Sequence, residues 1–315
     1  MTRYIIRRAI LLIPVLLVVG VIVFTLIHLT PGDPASVALG PEASTEEVEA
    51  LRERLGLNRP LPVQFIVWFT DVLRFDLGES IFLDMEVTQA LRDRAQPTIL
   101  LTLYSLVIAI VIGIPAGVIA ALREKSLVDR SLMVFSISGA AIPVFVLGML
   151  MILLFSVRLG WLPTGGYTDI NVDPVDHIKR MIMPSFALGF ASAGLLARLV
   201  RSSMLETLRE DYVRTARAKG LSPHAVVVRH ALRNALIPAV TVIGLLIGTL
   251  LGGAVVTETV FTIPGMGRLV VQSVLRREYP VIQGAVMLIA CFYVLANLLV
   301  DVLYVVIDPR ISYGD

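Results

Sequence analysis

Apolar residues in this chain gather into long runs instead of alternating with polar ones. Six stretches contain no Asp, Glu, Lys, Arg or His: 9–27, 95–122, 131–157, 181–197, 234–257 and 279–300. Crossing a bilayer core of about 30 Å takes roughly 20 residues of helix. The fourth run, with 17 residues, is the shortest. Every backbone N–H and C=O must find an internal partner in hydrocarbon, so the runs predict helices. We place them at about 9–29, 98–122, 131–157, 181–200, 234–257 and 280–307, in an all-α membrane protein with six transmembrane helices and a single domain over 1–315. The ten-residue alternating segments of an outer-membrane barrel are absent.

The basic start (Arg3, Arg7, Arg8) suits a signal peptide, but the first run exceeds the 7–15 residues of such a core. The small-residue site Ser36-Val37-Ala38 also falls well beyond that run. We expect a retained span. The loop 30–97 carries a capping start, Ser44-Thr45-Glu46-Glu47, followed by Val48, Leu51 and Leu55 at helical spacing up to Gly56. A second amphipathic piece, Val63 to Phe75, holds Trp68 and Phe69. It rests in the membrane interface or forms part of a solvated cap over the helices, and the cap is the favoured reading.

Two runs carry small residues four apart: Gly244, Gly248 and Gly252 in the fifth, and Ser185, Gly189, Ala193 and Ala197 in the fourth. Such stripes let helix backbones approach closely, within one chain or against a second subunit.

Composition agrees with the runs. Apolar residues make up 56% and charged residues 17%, against about 45–50% and 25% in soluble domains. Mean hydropathy is +0.82. This excludes a disordered chain, a nucleic-acid-binding basic protein and an ordinary cytosolic enzyme. Cys291 is the sole cysteine, so no intrachain disulfide forms. The formal net charge of +2 hides an asymmetry: with the N-terminus inside, the inner segments carry +8 and the outer segments −5. The positive-inside rule therefore puts both termini in the cytoplasm.

The inner loop 201–233 holds the most specific pattern. Met204, Leu205, Leu208, Tyr212, Val213 and Ala216 recur at three and four residues, which predicts an amphipathic helix. Gly220 stands where that helix ends in the left-handed conformation. Ser222-Pro223 restarts a helix, serine as N-cap and proline in the first turn, that runs to Asn234 and into the fifth span. The bend is a rigid knuckle through which a gripping partner tilts that span, or it is a solvated basic linker. Gly followed by Ser-Pro favours a specified geometry.

Tyr212-Val213-Arg214-Thr215-Ala216-Arg217-Ala218-Lys219-Gly220 resembles the EAA loop of ATP-binding-cassette importer permeases, Glu-Ala-Ala, three residues, then Gly. Arg214, Thr215, Ala216 and Gly220 occupy those places, and the pattern's later proline falls on Arg233. The stretch His230 to Pro238 is written as in the dipeptide/oligopeptide branch. Further similarity lies in Pro31-Gly32-Asp33-Pro34, Leu55-Gly56-Leu57, Pro60 to Gln64, Asp76 to Ser80, Pro97-Thr98, Thr257 to Phe261, Pro264 to Arg268, Tyr279-Pro280-Val281 and Asp308-Pro309-Arg310. The resemblance is to the B-type permease subunit of a peptide importer, with a type I importer permease fold. It implies a second, homologous permease subunit, two cytoplasmic ATP-binding subunits and an extracytoplasmic solute-binding protein. It also implies that Glu210, Tyr212, Val213, Arg214, Thr215, Ala216, Arg217, Ala218, Lys219, Gly220, Leu221 and Ser222 contact an ATPase subunit.

The chain itself has no ATPase motif. Its only lysines, Lys125, Lys179 and Lys219, do not follow glycine as a phosphate loop requires. We expect no catalytic, metal or cofactor site, with ATP and Mg2+ bound by the partner ATPases. No His-Glu-x-x-His or Gly-x-Ser-x-Gly occurs, and His224 and His230 read as surface histidines. Ionisable residues flank the runs, which disfavours an ion-coupled secondary transporter. Asp301 is the exception, paired in the bundle or near the inner interface. A non-transporting scaffold would leave the knuckle without a purpose. Pro115, Pro143, Pro184 and Pro264 are candidate helix breaks, and Met133, Phe135, Met149 and Phe155 line a path or face lipid. The expectation is a multi-pass protein of the bacterial or archaeal inner membrane. It contacts lipid and no nucleic acid, and it passes peptides or a related solute such as glutathione, nickel or a sugar by alternating access.

Overall fold

The computed structural model describes residues 2–29, 33–40, 43–54, 56–80 and 82–307. Pro31, Gly32, Leu55 and the motif Asp308-Pro309-Arg310 lie outside the described residues, as does the side chain of Asp301. The elements are α1 (Thr2–Leu29), α2 (Pro34–Leu39), α3 (Thr45–Arg54), α4 (Leu61–Leu73), strands β1 (Glu79–Ser80) and β2 (Met85–Glu86), α5 (Val87–Leu122), α6 (Leu127–Ala141), α7 (Val144–Met151), a π-helical turn Ile152–Arg158, α8 (Pro174–Thr207), α9 (Asp211–Ala218), α10 (Pro223–Ala225), a second π-helical stretch Val226–Leu232, α11 (Arg233–Ala235), α12 (Ile237–Val260), α13 (Met266–Leu275) and α14 (Tyr279–Ile307).

Helices stand at all six expected places. Val87–Leu122, Pro174–Thr207, Ile237–Val260 and Tyr279–Leu298 are each long and apolar enough to cross a membrane. α1 contributes the apolar stretch Ile10–Thr25. The third span departs from expectation: 131–157 is not one helix, because α6 and the segment Val144–Arg158 meet at 102°. Pro143 explains the break. Proline disfavours helical backbone in the residue before it, and Ile142 is extended (φ −83°, ψ 121°). Pro115 and Pro184 lie inside unbroken helices, and Pro264 falls in the turn between α12 and α13.

By internal packing the chain divides into two compact units, Met1–Gln96 with Gly265–Leu295, and Pro97–Pro264 with Ala296–Asp315. In the first, the capping box reads as expected. Ser44 N donates to Glu47 at 2.8 Å, and Glu47 N donates back to Ser44 Oγ at 3.2 Å. The Ser44 amide and hydroxyl hold the Glu47 carboxyl below the ordinary glutamate range. The β1–β2 hairpin pairs Glu79 with Glu86 and Ser80 with Met85. It is held to the segment before α14 by the nearly buried Glu278 carboxylate, which accepts from the Ser80 hydroxyl and, at 3.0 Å, from Phe82 N. The stretch 87–96, expected in the outer loop, is helical. Val87 and Leu91 are buried with Leu269, Val281 and Ala285, so tertiary packing extends the helix past its uncharged run.

In the second unit α8 is the central element. Asp173 caps it by accepting from Val175 N and Asp176 N, with Pro174 in the first turn. Ser185, Gly189, Ala193 and Ala197 are all buried. The stripe meets α5, at Gly113 and Gly117, a pair of glycines at the same four-residue spacing. A Cβ built on Gly113 would stand 2.9 Å from the Ala193 carbonyl oxygen, and one on Gly117 2.5 Å from that of Ala197. On the other side Gly139 of α6 lies against Phe190 and Gly194 against the Ser136 carbonyl. Of the fifth run's three glycines, Gly244 is buried, whereas Gly252 is exposed with open space at its Cβ position. Gly253 is the residue that packs there, against Leu188 at 2.7 Å. The expected Gly244–Gly248–Gly252 face is therefore not a continuous contact within this chain.

Among the described residues of this unit, two ionisable side chains are fully buried. Glu258 is fully buried and accepts from Thr98 Oγ1 at 2.5 Å. His177, also fully buried, donates from Nδ1 to the Thr168 carbonyl at 2.7 Å, leaving Nε2, 3.2 Å from Tyr104, to accept from its hydroxyl. Phe135 is half-exposed and packs edge-on against Phe190 (4.7 Å), and Met149 is exposed.

The α5–α8 approach yields a first prediction. Gly117→Ala puts a methyl into the Ala197 backbone, which has no flexible end to yield. Overpacking of this kind costs about 1–3 kcal/mol. The purified protein is expected to unfold at lower temperature in detergent than its Gly252→Ala counterpart, which should match the parent. Equal midpoints would contradict the packing described.

Candidate coupling surface

The inner loop folds as an elbow, with one difference from the expected single helix. α8 runs through Thr207 and α9 starts at Asp211, separated by Leu208, Arg209 and the extended Glu210 (φ −65°, ψ 146°). Apolar spacing continues across this break because both halves bury their apolar faces: Met204 is fully buried, and Leu208 packs on Val213, Ala216 and Val226.

α9 ends as its sequence demands. Gly220 takes φ +78°. Gly220 N donates to the Arg217 carbonyl at 2.9 Å and Leu221 N to that of Ala216 at 3.4 Å, the paired bonds of a Schellman turn. Ser222 then accepts from Ala225 N at 3.3 Å, with Pro223 opening the next helix. From there α10, the π stretch Val226–Leu232 and α11 lead with helical backbone at every junction into α12; Leu236, the joint, sits at φ −82°, ψ −12°. The second helix of the elbow is thus continuous with the fifth span.

Within the expected contact set, Val213 and Ala216 are corrected. They are buried at 0% and 6% exposure against Val226 and fasten α9 to the ascending segment, so neither offers a surface to a partner. Full burial of a valine stabilises by about 1.5–3 kcal/mol. Glu210, Tyr212, Arg214, Thr215, Arg217, Ala218, Lys219, Gly220, Leu221 and Ser222 are exposed. They form a face rich in cations, with Tyr212 and Leu221 as its large apolar members, both 41% exposed. Tyr212 also accepts a hydrogen bond from Asn234 Nδ2 at 2.7 Å, tying the start of α9 to α11.

Five side chains outside the expected set brace the elbow: Asp129, Arg201, Glu124, Arg209 and Asn234. Asp129, in the first turn of α6, receives both ends of the Arg201 guanidinium, Nε at 2.6 Å and Nη2 at 2.7 Å, and also the Lys125 amide at 2.9 Å. Its side chain is 5% exposed. Glu124 lies 3.3 Å from Arg209 in the gap between α8 and α9, an exposed pair that contributes little. Asn234, bound to Tyr212, is the fifth. The signal available in the sequence was an acid, Asp129, in a loop selected for positive charge.

No group of three or more His, Cys, Asp or Glu side chains that could hold a metal occurs among the described residues. What the site offers is mechanical: a stiff, cationic, solvent-facing corner continuous with one long apolar helix and bolted by Asp129–Arg201 to another.

Comparison with known proteins identifies the family. Residues 113–313 match the family model for the binding-protein-dependent transport system inner membrane component, and residues 1–81 match the model for the N-terminal region of such membrane components. A probable peptide ABC transporter permease protein of Sinorhizobium fredii is 47% identical over 310 residues, 98% of this chain and 99% of that one. The glutathione transport system permease protein GsiC of Escherichia coli K12 is 46% identical over 313 residues, 99% and 100% of the two chains. Among solved structures, an inward-facing MetNI methionine ABC transporter aligns with TM-score 0.59 at 20% identity, over 70% of this chain and 97% of that one, a likeness of fold. The chain belongs to the family of binding-protein-dependent transport system inner membrane components, as a permease of the peptide-type ABC importer class.

Proposed function

We propose that this chain carries peptides, or a related small solute such as glutathione, across the inner membrane as one permease of an ABC importer, and that the exposed face of α9 is seated in a cytoplasmic ATP-binding subunit. The observation that carries the seating is the elbow itself: α9 closed by Gly220 and continuous through Ser222-Pro223 with α12. A partner that grips Arg214, Arg217, Lys219 and Leu221 and moves must drag the foot of α12. ATP and Mg2+ belong to two such partners, the solute arrives from an extracytoplasmic binding protein, and a second homologous permease completes the pathway. Both termini lie in the cytoplasm, where the positive-inside asymmetry puts them. When ATP draws the two ATPases together, the elbows follow and the permease opens outward; release after hydrolysis returns it inward.

The test uses the assembled importer. A cysteine at Leu221 in a Cys291→Ala background is expected to cross-link to an ATPase subunit, and uptake into proteoliposomes is expected to need ATP. Uptake by this chain alone, driven by an imposed proton gradient, would instead make it a secondary carrier. An uncross-linked, solvent-labelled Leu221→Cys in the full complex would overturn the seating of α9.

A further inference from the structure

We propose that α4, in the segment after the first span, lies flat in the lipid headgroup boundary and seats an aliphatic face among acyl chains. The proposal rests on α1 crossing the membrane. α4 packs on the C-terminal part of α1. Phe65 and Trp68 stand 5.5 and 5.9 Å from the Phe24 ring, and a Cβ on Gly20 would meet Phe69 at 3.0 Å. At the end of the apolar run, the His28 ring reaches Gln64 Oε1 at 3.2 Å. At about 1.5 Å of rise per residue, Phe24 lies about 6 Å and Gly20 about 12 Å below His28. Interfacial helices bury their apolar faces to a depth of about 5–10 Å. The aromatic side of α4 is therefore anchored at that depth, not above it.

The other sides of α4 are arranged to match. Ile66 and Leu73, seven residues apart, share one face and are 63% and 67% exposed. Gln64 and Asp71, also seven apart, are offset from them by about 200° around the helix. A helix with its aromatic flank against α1, Ile66 and Leu73 toward hydrocarbon and Gln64 and Asp71 toward water fits the plane of the interface. Thr70 hides its hydroxyl on the Ile66 carbonyl at 2.6 Å. Arg59 and Arg74, both exposed, flank the helix, where guanidinium groups reach lipid phosphates. Lipid, not another polypeptide, is the occupant of the aliphatic face. Helix–helix contacts in membranes favour small residues, and α4 contains no glycine, alanine or serine. A water-facing cap would leave Ile66, Leu73 and the 79%-exposed Phe75 solvated without compensation.

The test uses the complete importer in phosphatidylethanolamine–phosphatidylglycerol vesicles. Spin labels on single cysteines replacing Ile66, Leu73 and Asp71, with Cys291→Ala, are read by collision with oxygen and with a water-soluble nickel chelate. High oxygen and low nickel access at 66 and 73, with the reverse at 71, is expected. Nickel access at all three would make α4 a solvated cap, and low access to both reagents at 66 and 73 would mean a covering protein. A second measurement leaves α4 intact and uses this full chain without its partner subunits in vesicles of the same lipids: in Trp161→Phe, Trp68 is the only tryptophan of the chain. Lipids brominated near the headgroup are expected to remove most of its emission, and unquenched emission would overturn the proposal. Uptake measured on the vesicles holding the complete importer separates the two readings, since lipid contact without ATP-driven uptake would count against the transport role alone.

Discussion

Valine at position 220 is expected to cut ATP-driven uptake about tenfold while the chain still inserts and assembles. Gly220 sits at φ +78°, where a side chain clashes with its own backbone. Left-handed backbone costs an ordinary residue roughly 1–2 kcal/mol, and a β-branched one is the least suited to it. About 1.4 kcal/mol is a factor of ten in an equilibrium. The position has open space around it, with nothing within 4 Å of where a Cβ would stand, so the effect runs through backbone geometry and not through lost contacts. Relaxing φ breaks the Gly220–Arg217 and Leu221–Ala216 bonds and lets α9 swing free of the ascending helix. Gly220→Asn supplies the control: asparagine tolerates this conformation and occupies the same open space. Uptake in vesicles with intact ATPases should fall for valine and stay near the parent value for asparagine, with more ATP hydrolysed per solute in the valine form. Wild-type uptake by the valine variant would refute this, and equal loss in both would point to a contact surface at this position.

The second large effect is expected at Asp129. Asp129→Ala leaves the Arg201 guanidinium, whose side chain is 26% exposed, without its bidentate partner and removes the acceptor of the Lys125 amide. Breaking a largely buried pair by deleting one member costs about 3–5 kcal/mol, far more than the net contribution of the intact pair, because the surviving charge is stranded. Purified importer carrying this change should show a thermal midpoint several degrees below the parent. Replacing both members by apolar residues, Asp129→Leu with Arg201→Met, should recover most of the loss in stability. Recovery of uptake should not accompany it if the pair also keeps α6 in step with the elbow. An unshifted midpoint for Asp129→Ala would mean that the bridge seen between α6 and α8 carries no weight.

Much of this was readable from residue order, for reasons visible at particular positions. Gly220, Ser222-Pro223 and the Ser44–Glu47 box are local devices whose partners lie within four residues, so no tertiary knowledge was needed. The stripe on α8 was legible as a stripe, but its counterpart, Gly113 and Gly117, lay on a helix far away in sequence. Adjacent Gly252 and Gly253 could not be told apart, since which one faces Leu188 depends on the rotation of α12. Apolar spacing concealed the interruption at Leu208–Glu210, as the buried face passes unbroken from α8 to α9. It likewise marked Val213 and Ala216 as part of a helix without saying that they look inward. Pro143 looks in sequence like Pro115, Pro184 and Pro264, and only the extended Ile142 singles it out as the one that bends its span.

The stretch Val226–Leu232 has a bearing on how stiff the elbow's connection is. A π turn closes over one more residue than an α turn, so it holds slack that ordinary helix lacks. Tightening it would lengthen the strut and rotate what stands above; loosening it would do the reverse. The joint below α12 is therefore like a turnbuckle in its geometry: it leaves room to adjust pitch and azimuth without severing a single turn.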